Sequence, residues 1–596
     1  MSQSQSPRLL EAQAHVTAVQ QEISAAYEAG NKRRQMLEAK YRQTGQDDKI
    51  AIHTLLEYIE RRAQELSVLL PSPYVARCDI RQQEGKEMRV YVGKCSFQEA
   101  NIVSWVSPIA TVRFSEIGET SYKTAQKETK QVTLLRKDDY AIRDGKIVFF
   151  ATETSTVART LIYQEHFSHR KTGFILPDII ARMEKAQDTV IRAAYKGPLL
   201  ISGPAGSGKT TLALHRVAYL MQAPETTELF PGHRIRVFVQ DQRTKSYFST
   251  LLPDLGITQV EITTFFDWAC TILDLQGYEP YIAQSNEFVE DAIRLEKLRL
   301  LRSTQPVLVG NPIAWLVQFY KKTVQQNQDL ILQRITNKQL DDIDSTLLLL
   351  AYKKQQGKLL ETKEYLVQQK NFSITRKQGK FPVSNALCVV DEFQNYLPEQ
   401  LQLIRGTLSP DTNAIMYVGD KKQQTRFGTI RSWSEIGESL SEQRSVVLEK
   451  VYRNTQEMLR FISSLGYELD IPTELPQGEP VQILENTAET QQFIHRFVQE
   501  HTDRLIGILA KQPKDLLPYG LVQSLPHVKV LSIQEAQGVE FDTVFFVGNN
   551  ADTWQINSAL DSHYREEKKR IQRDVLYVAL TRAMRELYIV GNIILP

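Results

Sequence analysis

The sequence predicts an α/β protein of several domains, and three observations support this fold class. An apolar strand at Pro198–Ser202 leads through a glycine-rich loop into a helix at Thr210–Met221, which is the order of elements in a sheet covered by helices. A second run of alternating strands and helices begins near Val446. The chain has 596 residues, which is too long for one hydrophobic core, so several domains are expected.

The composition is typical of a soluble globular protein. Hydrophobic residues make up 42% and charged residues 24% of the chain, and the net charge is only +2, so any nucleic-acid contact must use a local basic surface. No apolar run approaches the ~18 residues of a membrane span, and the first residues lack a signal peptide, so we expect a cytoplasmic protein with no membrane partner. The four cysteines form no C-x-x-C pair and are expected to be reduced: Cys78, Cys95, Cys270 and Cys388.

Residues 1–73 predict an antiparallel helical hairpin. A helix from Pro7 to about Gln43, a turn at Thr44–Asp48 and a second helix that ends at Pro71–Pro73 each fit the pattern of apolar residues and breakers. The longer arm can reach roughly 50 Å. Two alternatives are open: the hairpin packs on the body of the protein, or it projects as a probe with Asp47 and Asp48 at its tip. The apolar residues at helical spacing are Val16, Val19, Ile23 and Tyr27, then Ile52, Leu55, Leu56, Ile59, Ala63 and Leu66.

The rest of the chain divides into five segments by its pattern of predicted strands and helices. Runs such as Arg89–Val92, Ile109–Phe114 and Lys146–Phe150 predict strands of a small β-containing module. Near the end, a helix at Gln572–Met584 is expected to precede a last strand at Glu586–Val590. The predicted segments are the β-containing module at 74–165, the first part of the first α/β domain at 166–270, a helical insertion at 271–384, the second part of that domain at 385–445, and the second α/β domain at 446–596.

The loop Gly203–Thr210 matches the pattern G-x-x-x-x-G-K-[ST] in full. Glycines let backbone N–H groups close on phosphates, Lys209 is expected to reach the β and γ oxygens, and Thr210 is expected to ligate Mg²⁺. The alternative is a plain glycine-rich turn, which the flanking strand and helix disfavour. The sequence therefore predicts an ATP and Mg²⁺ site whose loop residues are Gly203, Gly206, Ser207, Gly208, Lys209, Thr210 and Thr211.

Two carboxylates follow the short apolar strand Ala386–Val390. We expect Asp391 to hold Mg²⁺ together with Thr210, and Glu392 to orient and deprotonate the attacking water, because phosphoryl transfer needs charge neutralisation and an aligned nucleophile. Such a pair alone is more often an ordinary solvated strand end. The glycine-rich loop upstream favours the catalytic interpretation.

Five further blocks resemble the superfamily 1 helicases of the UvrD/Rep type. They are Asp391–Gln394, Gly419–Gln423, Val451–Asn454, Gln537–Asp542 and Leu576–Ala583. The resemblance implies two RecA-like P-loop domains and a helicase-type ATPase that acts on nucleic acid, with single-stranded DNA as the expected partner.

The resemblance also implies roles for single residues. Gln187 would recognise adenine, Tyr452 would stack on the base, and Glu540 would contact the ribose, while Gln394 and Gln423 would sense the γ-phosphate. Arg453 and Arg582 resemble arginine fingers that the second α/β domain contributes to the nucleotide site on the first. A guanidinium there would neutralise transition-state charge, so that ATP closes the cleft and hydrolysis releases it, although most arginines form surface ion pairs. The predicted catalytic residues are Lys209, Asp391, Glu392, Gln423, Arg453 and Arg582.

Nucleic-acid contacts leave less trace in the sequence. Thr264 and Phe265 resemble a strand-contacting block of the family, and Phe265, Phe266 or Trp268 would stack on bases if exposed; a buried aromatic cluster is the alternative. The run Arg565–Arg570 mixes charges and favours a solvated helix face over the alternative, a phosphate-binding patch. Gln537 stands where the family usually has lysine, which leaves open the direction of translocation along the strand and the strength of DNA binding.

The amino-terminal part is similar to the HelD-like group, helicase-like ATPases that bind bacterial RNA polymerase and free it from nucleic acid. This resemblance implies RNA polymerase as a partner, with residues 8–70 probing its secondary channel and an arm at about 275–380 entering its main channel. The large subdomain that UvrD-type proteins have between the blocks of Tyr452 and Glu540 has no room here. The supporting residues are the hairpin and the blocks Ser72–Arg77, Val90–Lys94, Ser104–Ala110, Leu214–Leu220 and Leu252–Gly256.

Three functions remain open at this point. The first is an ATPase that remodels or recycles RNA polymerase. The second is a 3′–5′ DNA helicase or translocase in DNA repair or in defence against phage. The third, a nucleotide-sensing scaffold without turnover, is disfavoured by the complete set of predicted catalytic residues.

Overall fold

A computed structural model describes residues 7–43, 46–124, 126, 128–152, 185–204, 207–254, 257, 259–283, 286–368, 374–448, 454–469, 471–473, 475–537 and 539–592. Predictions for Gly206, Tyr452, Arg453 and the tip of the hairpin, including the side chains of Asp47 and Asp48, lie outside what is described. The chain divides into two compact units. The first contains Met1–Ala194, Leu214–Phe230 and Ser249–Thr258, and the second contains Tyr195–Ala213, Pro231–Phe248 and Gln259–Pro596.

The first unit begins with the predicted helical hairpin. Helix α1 spans Pro7–Gln43 and α2 spans Gln46–Leu69. The base of the hairpin packs on the β-containing module, because Val16, Val19 and Ile23 share a core with residues of that module. Beyond Ile23, no described side chain of α1 is buried. The base is thus packed, whereas the last ~30 Å of the arm is covered by little more than its partner helix.

The β-containing module is a six-stranded sheet with the order β3-β2-β1-β5-β4, in which β6 also pairs with β5. The strand predicted at Ile109–Phe114 is wrong: Pro108–Phe114 forms a 3-10 helix. Pro108 stands at the start of this turn, where its fixed φ suits a helix and its missing N–H would weaken a strand ladder. The strands are β1 Ala76–Gln82, β2 Glu87–Gly93, β3 Ile102–Ser104, β4 Gly118–Lys123, β5 Thr129–Arg143 and β6 Lys146–Thr152.

Helices α3 and α4 follow, and α4 begins in the second unit and continues in the first. Their bounds are α3 Lys185–Ile191 and α4 Lys209–Gln222. The second half of α4 packs within the first unit, where Arg216 donates to the carbonyl oxygens of Val190 and Ile191 at 2.8 Å each. These bonds satisfy backbone groups at the end of α3 that a helix leaves unpaired.

The second unit contains a parallel six-stranded sheet with the order β16-β7-β15-β14-β8-β9. Strand β15 lies between β7 and β14, so the carboxyl ends of these three strands meet at one edge, where open sheets bind ligands. The last strand, β16, pairs with β7 and lies past the predicted domain boundary at residue 445. The strands are β7 Gly197–Ser202, β8 Ile235–Val239, β9 Glu261–Thr264, β14 Leu387–Asp391, β15 Ala414–Gly419 and β16 Ser445–Val447.

Helices and an unpredicted β-ribbon accompany this sheet. The predicted helical insertion ends in two antiparallel strands, β12 and β13, that pair only with each other. A two-stranded ribbon has no buried face to impose apolar alternation, so its sequence gives little strand signal. The helices are α5 Gln242–Asp254, α6 Phe265–Leu273, α7 Glu287–Ser303, α8 Pro312–Thr323, α9 Gln328–Thr336, α10 Asp342–Gln356 and α11 Pro398–Arg405, and the short strands are β10 Glu279–Pro280, β11 Gln339–Leu340, β12 Leu360–Gln368 and β13 Ile374–Pro382.

A second parallel sheet of five strands has the order β17-β21-β20-β18-β19. The helix predicted at Gln572–Met584 begins earlier, at Ser562, and ends at Leu580. None of the described helices is long and apolar enough to cross a bilayer. The remaining elements are α12 Gln456–Ser464, β17 Gln482–Leu484, α13 Ala488–Glu500, β18 Ile506–Ala510, β19 Val528–Ser532, β20 Phe541–Asn549, α14 Ser562–Leu580 and β21 Ala583–Gly591.

Candidate nucleotide site

The loop after β7 has the backbone that its glycines allow. Gly203 has φ +154° and Gly208 has φ +82°, both in a region that favours glycine. A Cβ on Gly203 would overlap the carbonyl oxygen of Leu448 and lie 3.0 Å from Ser207 Oγ. The loop therefore needs glycine at both positions, and Lys209 opens helix α4 directly behind it.

Polar groups line this loop. Lys209 is buried, and its Nζ donates to the carbonyl oxygen of Pro204 at 2.9 Å, which holds the ammonium over the loop. Ser207 Oγ is buried and has no hydrogen-bond partner among the described residues. A buried hydroxyl without a partner is costly unless a further group satisfies it. The start of helix α4, the ammonium and this hydroxyl suit a phosphate.

Thr210 and Asp391 lie together, as predicted for a Mg²⁺ site. Thr210 Oγ1 donates to Asp391 Oδ1 at 3.1 Å, so the loop after β7 meets the end of β14. Burial and the neighbouring Glu392 carboxylate raise the pKa of Asp391 to about 7. A hydroxyl and a carboxylate that lies buried beside a second carboxylate form a donor set that Mg²⁺ prefers, so the residues fit this ion. Thr211 follows in α4 and is half-buried.

Gln394 and Gly419 hold Glu392 in place. Glu392 has φ +50°, an uncommon conformation for a residue with a side chain. Gln394 donates through Nε2 to Glu392 Oε2 at 2.5 Å and accepts through Oε1 from the backbone N–H of Asp420 at 3.1 Å. A Cβ on Gly419 would overlap Gln394 Oε1. Glycine at 419 therefore makes room for the amide that orients Glu392.

Gln423 is buried in the loop after β15. Its Nε2 donates to Asp420 Oδ2 at 2.9 Å. Gln537, at the position where lysine is usual in the family, donates through Nε2 to the carbonyl oxygen of Gln423 at 3.4 Å. Gln537 thus connects the second sheet's domain to the loop that carries Gln423, a contact that the sequence did not predict.

Arg582 lies at the end of α14 and is buried. It donates through Nε to the carbonyl oxygen of Val578 at 3.0 Å and through Nη2 to Thr581 Oγ1 at 3.2 Å. Asn454, the residue after Arg453, donates to the carbonyl oxygens of Ala583 at 2.6 Å and Thr581 at 3.5 Å. The two segments predicted to carry arginine fingers are therefore neighbours.

The end of α14 faces the loop after β15. Burial raises the pKa of Tyr577, the Asp420 carboxylate raises it further, and the Arg582 guanidinium opposes this shift. The pKa of Tyr577 thus responds to one charged group from each of the two sheet domains.

Asp574 is a residue of this region that sequence reasoning missed. Its Oδ2 accepts from the backbone N–H of Gln424 at 3.0 Å and from Arg570 Nη1 at 3.3 Å. Burial raises the pKa of Asp574 to about 7, against the opposing effect of Arg570. Asp574 precedes the Leu576–Ala583 block, so no motif marked it. It ties α14 to the loop of Gln423.

Two further predicted residues occupy separate places. Gln187 lies on α3 of the first unit and is half-buried. Glu540 lies directly before β20 in the second unit and is half-buried. Their contacts with adenine and ribose stay predictions.

The predicted nucleic-acid residues Thr264 and Phe265 lie in the core. Thr264 Oγ1 accepts from the N–H of Asp267 at 3.0 Å and caps helix α6. Phe265 is 6% exposed and Trp268 is 2% exposed. Their ring centroids are 5.6 Å apart, and Trp268 also packs on Phe238 at 5.2 Å. The buried aromatic cluster, the alternative considered from the sequence, is what the structure has, so Phe265 offers no exposed face to a base.

The solvated helix face predicted for Arg565–Arg570 is wrong for the middle of that run. Lys568 is buried and pairs with Asp291 Oδ2 at 2.5 Å and Glu287 Oε1 at 2.7 Å. Glu567 is also buried and pairs with Arg431 at 2.5 Å. The mixed charges find their partners across an interface between α14 and the first sheet's domain with its insertion.

Three protein families match this chain. Residues 9–161 match "DNA helicase IV HelD, N-terminal domain", residues 186–429 match "AAA domain", and residues 311–592 match "UvrD-like helicase C-terminal domain". Proteins named "ATP-dependent DNA helicase PcrA" from two strains of Staphylococcus epidermidis are 22% identical over 306 residues. The match covers 47% of this chain and 39% of the length of each relative.

Proposed function

We propose that this chain is a superfamily 1 helicase of the UvrD/Rep type, related to HelD, and that it is an ATP-hydrolysing motor whose two sheet domains close on a nucleotide. The observation that carries the proposal is the hydrogen bond between Thr210 and Asp391. This bond brings the phosphate loop and the pair Asp391 and Glu392 to one edge of the first sheet. Phosphoryl transfer needs both parts at one place.

The residues of the first sheet's domain divide the work of hydrolysis. Lys209 neutralises charge on the β- and γ-phosphates, and Thr210 with Asp391 holds Mg²⁺. When bound there, Mg²⁺ supplies further neutralisation of phosphate oxygens. Glu392, fixed by Gln394, orients the attacking water and accepts its proton.

The second sheet's domain completes the site. Arg582, and Arg453 in the neighbouring segment, supply positive charge to the γ-phosphate as it is transferred. Arg582 can exchange its bonds to Val578 and Thr581 for phosphate oxygens when the domains close. Asp574 and Gln537 connect this movement to the loop of Gln423. Loss of the γ-phosphate then releases the closed state.

Two substitutions test hydrolysis by this site. Lys209→Ala weakens ATP binding, and Glu392→Gln keeps binding but loses turnover. Glu57→Gln is a matched control, because the side chain of Glu57 is 67% exposed and lies on α2 of the first unit. Unchanged hydrolysis by Lys209→Ala or Glu392→Gln would rule out the proposed mechanism.

We further propose that the motor releases RNA polymerase from nucleic acid, with the hairpin as its probe. The exposed arm of α1 beyond Ile23 on a packed base supports this, together with the match to the HelD amino-terminal domain. The test is co-purification with core RNA polymerase. A variant in which residues 27–51 are replaced by a short linker keeps the packed base and should lose binding. Equal binding by this variant and the full chain would exclude the probe.

A second candidate is a 3′–5′ DNA helicase or translocase in repair or phage defence. It is favoured by the match to relatives named as DNA helicases. In that case single-stranded DNA alone stimulates ATP hydrolysis, and the chain displaces a strand from a tailed duplex. Stimulation that requires RNA polymerase, with no strand displacement, favours the first candidate.

A further inference from the structure

The ribbon formed by β12 and β13 carries an exposed aromatic pair. Tyr365 is 41% exposed and Phe381 is 39% exposed, although both belong to a residue class that is usually buried. Their ring centroids lie 5.6 Å apart at an interplanar angle of 86°. We propose that this ribbon binds single-stranded nucleic acid, with bases stacked on Tyr365 and Phe381 and phosphates against Lys363 and Lys377, the lysines of the same face.

The register of the ribbon places the two rings on one face. Tyr365 lies opposite Lys377, Lys363 opposite Gly379, and Glu361 opposite Phe381. Opposite residues of a ladder share a face, so both rings, Lys377 and Gly379 lie on the same side. A Cβ on Gly379 would lie 3.0 Å from the ring of Tyr365 and 3.1 Å from that of Phe381. The missing side chain at Gly379 thus makes room for the aromatic pair.

The charge of the ribbon suits a polyanion. On the face that carries the rings, Lys363 and Lys377 are exposed, and Lys377 forms no ion pair with a described residue. Glu361 is buried and is already bound by Arg236 at 2.9 Å and by Lys363 at 2.5 Å. The exposed charge of this face is therefore positive, whereas the exposed Glu364 lies on the opposite face with Arg376 and Lys380. Aromatic rings beside exposed lysines are the pattern by which proteins bind single strands without reading their sequence.

The strands are long enough for several nucleotides. Each has nine residues, which corresponds to roughly 30 Å of extended chain. Neither strand pairs with another of the described strands. Unpaired bases can stack on the rings, whereas bases in a duplex are already stacked on each other, so a single strand is the better partner.

The base of the ribbon is joined to the nucleotide site. Val383 donates its N–H to the carbonyl oxygen of Leu359 at 3.0 Å, and Glu361 is bound to Arg236 on β8. Strand β13 ends at Pro382, and the chain enters β14 at Leu387, which ends at Asp391. A short, anchored segment of the chain thus connects the ribbon, where the nucleic-acid strand would bind, to Asp391, the predicted Mg²⁺ ligand. This link to hydrolysis rests on the proposed motor function, whereas binding itself does not.

The test measures binding of a fluorescent oligothymidylate of about 20 nucleotides to the full chain by anisotropy. Tyr365→Ala with Phe381→Ala removes the rings, and Lys363→Gln with Lys377→Gln removes the two lysines of the ring-bearing face. Lys86→Gln with Lys130→Gln is the matched control, because it removes two exposed lysines from the β-containing module of the first unit. Basal ATP hydrolysis is expected to be unchanged in all three double variants.

The proposal expects the aromatic variant to bind about 10- to 100-fold more weakly, and to lose stimulation of ATP hydrolysis by the oligonucleotide. The Lys363 and Lys377 variant should lose about one to two units of salt slope, while the control binds like the native chain. Native affinity in both ribbon variants would overturn the proposal. Loss of RNA polymerase binding with intact oligonucleotide binding would also overturn it and make the ribbon a protein contact. If the native chain binds the oligonucleotide but hydrolyses no ATP, the motor function fails and the ribbon surface stands.

Discussion

The buried lysine of α14 gives a stability prediction that the sequence alone would not suggest. Lys568→Met removes the cation that bridges α14 to α7, where Glu287 and Asp291 lie. The side chain of Lys568 is 6% exposed, and its Nζ lies 2.5 Å from Asp291 Oδ2. Its neighbour Lys569 is 54% exposed and pairs with Glu566 at 2.8 Å. The two adjacent lysines therefore make a matched pair, one buried and one solvated.

The expected cost follows from which carboxylate loses its partner. Glu287 keeps Lys511, whose Nζ lies 3.0 Å from Glu287 Oε2. Asp291 has no other ion pair among the described residues. Burial already raises the pKa of Asp291, and Lys568 is the main group that opposes this shift. Breaking a buried pair costs about 3–5 kcal/mol, and since one carboxylate keeps a partner we expect about 3 kcal/mol. Lys569→Met should cost about 0–1 kcal/mol.

Calorimetric thermal unfolding measures this difference. A loss of about 3 kcal/mol lowers the midpoint temperature of the transition that contains α14 by about 6–12 °C, the value for a domain of about 150–250 residues such as the predicted one at 446–596. A second change, Asp291→Leu in the Lys568→Met chain, should recover most of the loss, because it removes the unpaired carboxylate. Equal transitions for Lys568→Met and Lys569→Met would refute the reasoning. No recovery on adding Asp291→Leu would refute the electrostatic cause.

Two further predictions concern the nucleotide site. Gly419→Ala pushes Gln394 away from Glu392 and should lower kcat for ATP hydrolysis about 10- to 100-fold. Gly310→Ala is the control for backbone strain alone, because Gly310 has φ +73° and open space around it. Equal kcat values in the two variants would contradict the role of Gln394. Burial raises the pKa of Asp574 to about 7, so the folded chain favours its protonated form, and stability present at low pH is lost as pH rises towards 7. Asp574→Asn removes this loss. The melting temperature of the variant minus that of the native chain should therefore increase from pH 5 to pH 8, and a difference that does not change with pH would contradict the raised pKa of Asp574.

The sequence could predict those parts of the site whose functional residues lie close together along the chain. Gly203–Thr210 needs its glycines, lysine and threonine at fixed spacing, and Asp391 follows an apolar strand that ends at the same sheet edge. These features are local, so a single sequence carries them. The pairing of Thr210 with Asp391 follows from strand order in a parallel sheet.

Features set by tertiary contacts could not be predicted. Lys568 is surrounded in sequence by other charges, and only the packing of α14 on α7 removes it from water. Asp574 acts through the backbone of Gln424, so its partner has no side-chain signature. Phe265 has the same sequence whether it stacks on a base or on Trp268, and the core decides between them.

The β-ribbon shows the same limit at the level of the fold. Most of its described side chains are exposed, so apolar residues do not alternate with polar ones as they do in a half-buried sheet. The sequence of 271–384 therefore predicts a helix-rich insertion and gives no sign of the ribbon. Only the pairing of Leu360–Gln368 with Ile374–Pro382 in the structure shows the ribbon.

The central claim is that one catalytic site is built from both sheet domains, and Arg582→Ala tests it most directly. With ATP binding measured in parallel, the account predicts that Arg582→Ala still binds ATP but that kcat falls about 10³- to 10⁵-fold. Arg585→Ala is the control, because Arg585 lies three residues on and pairs with Asp542 at 3.5 Å. Native kcat in a folded Arg582→Ala chain would contradict a composite site.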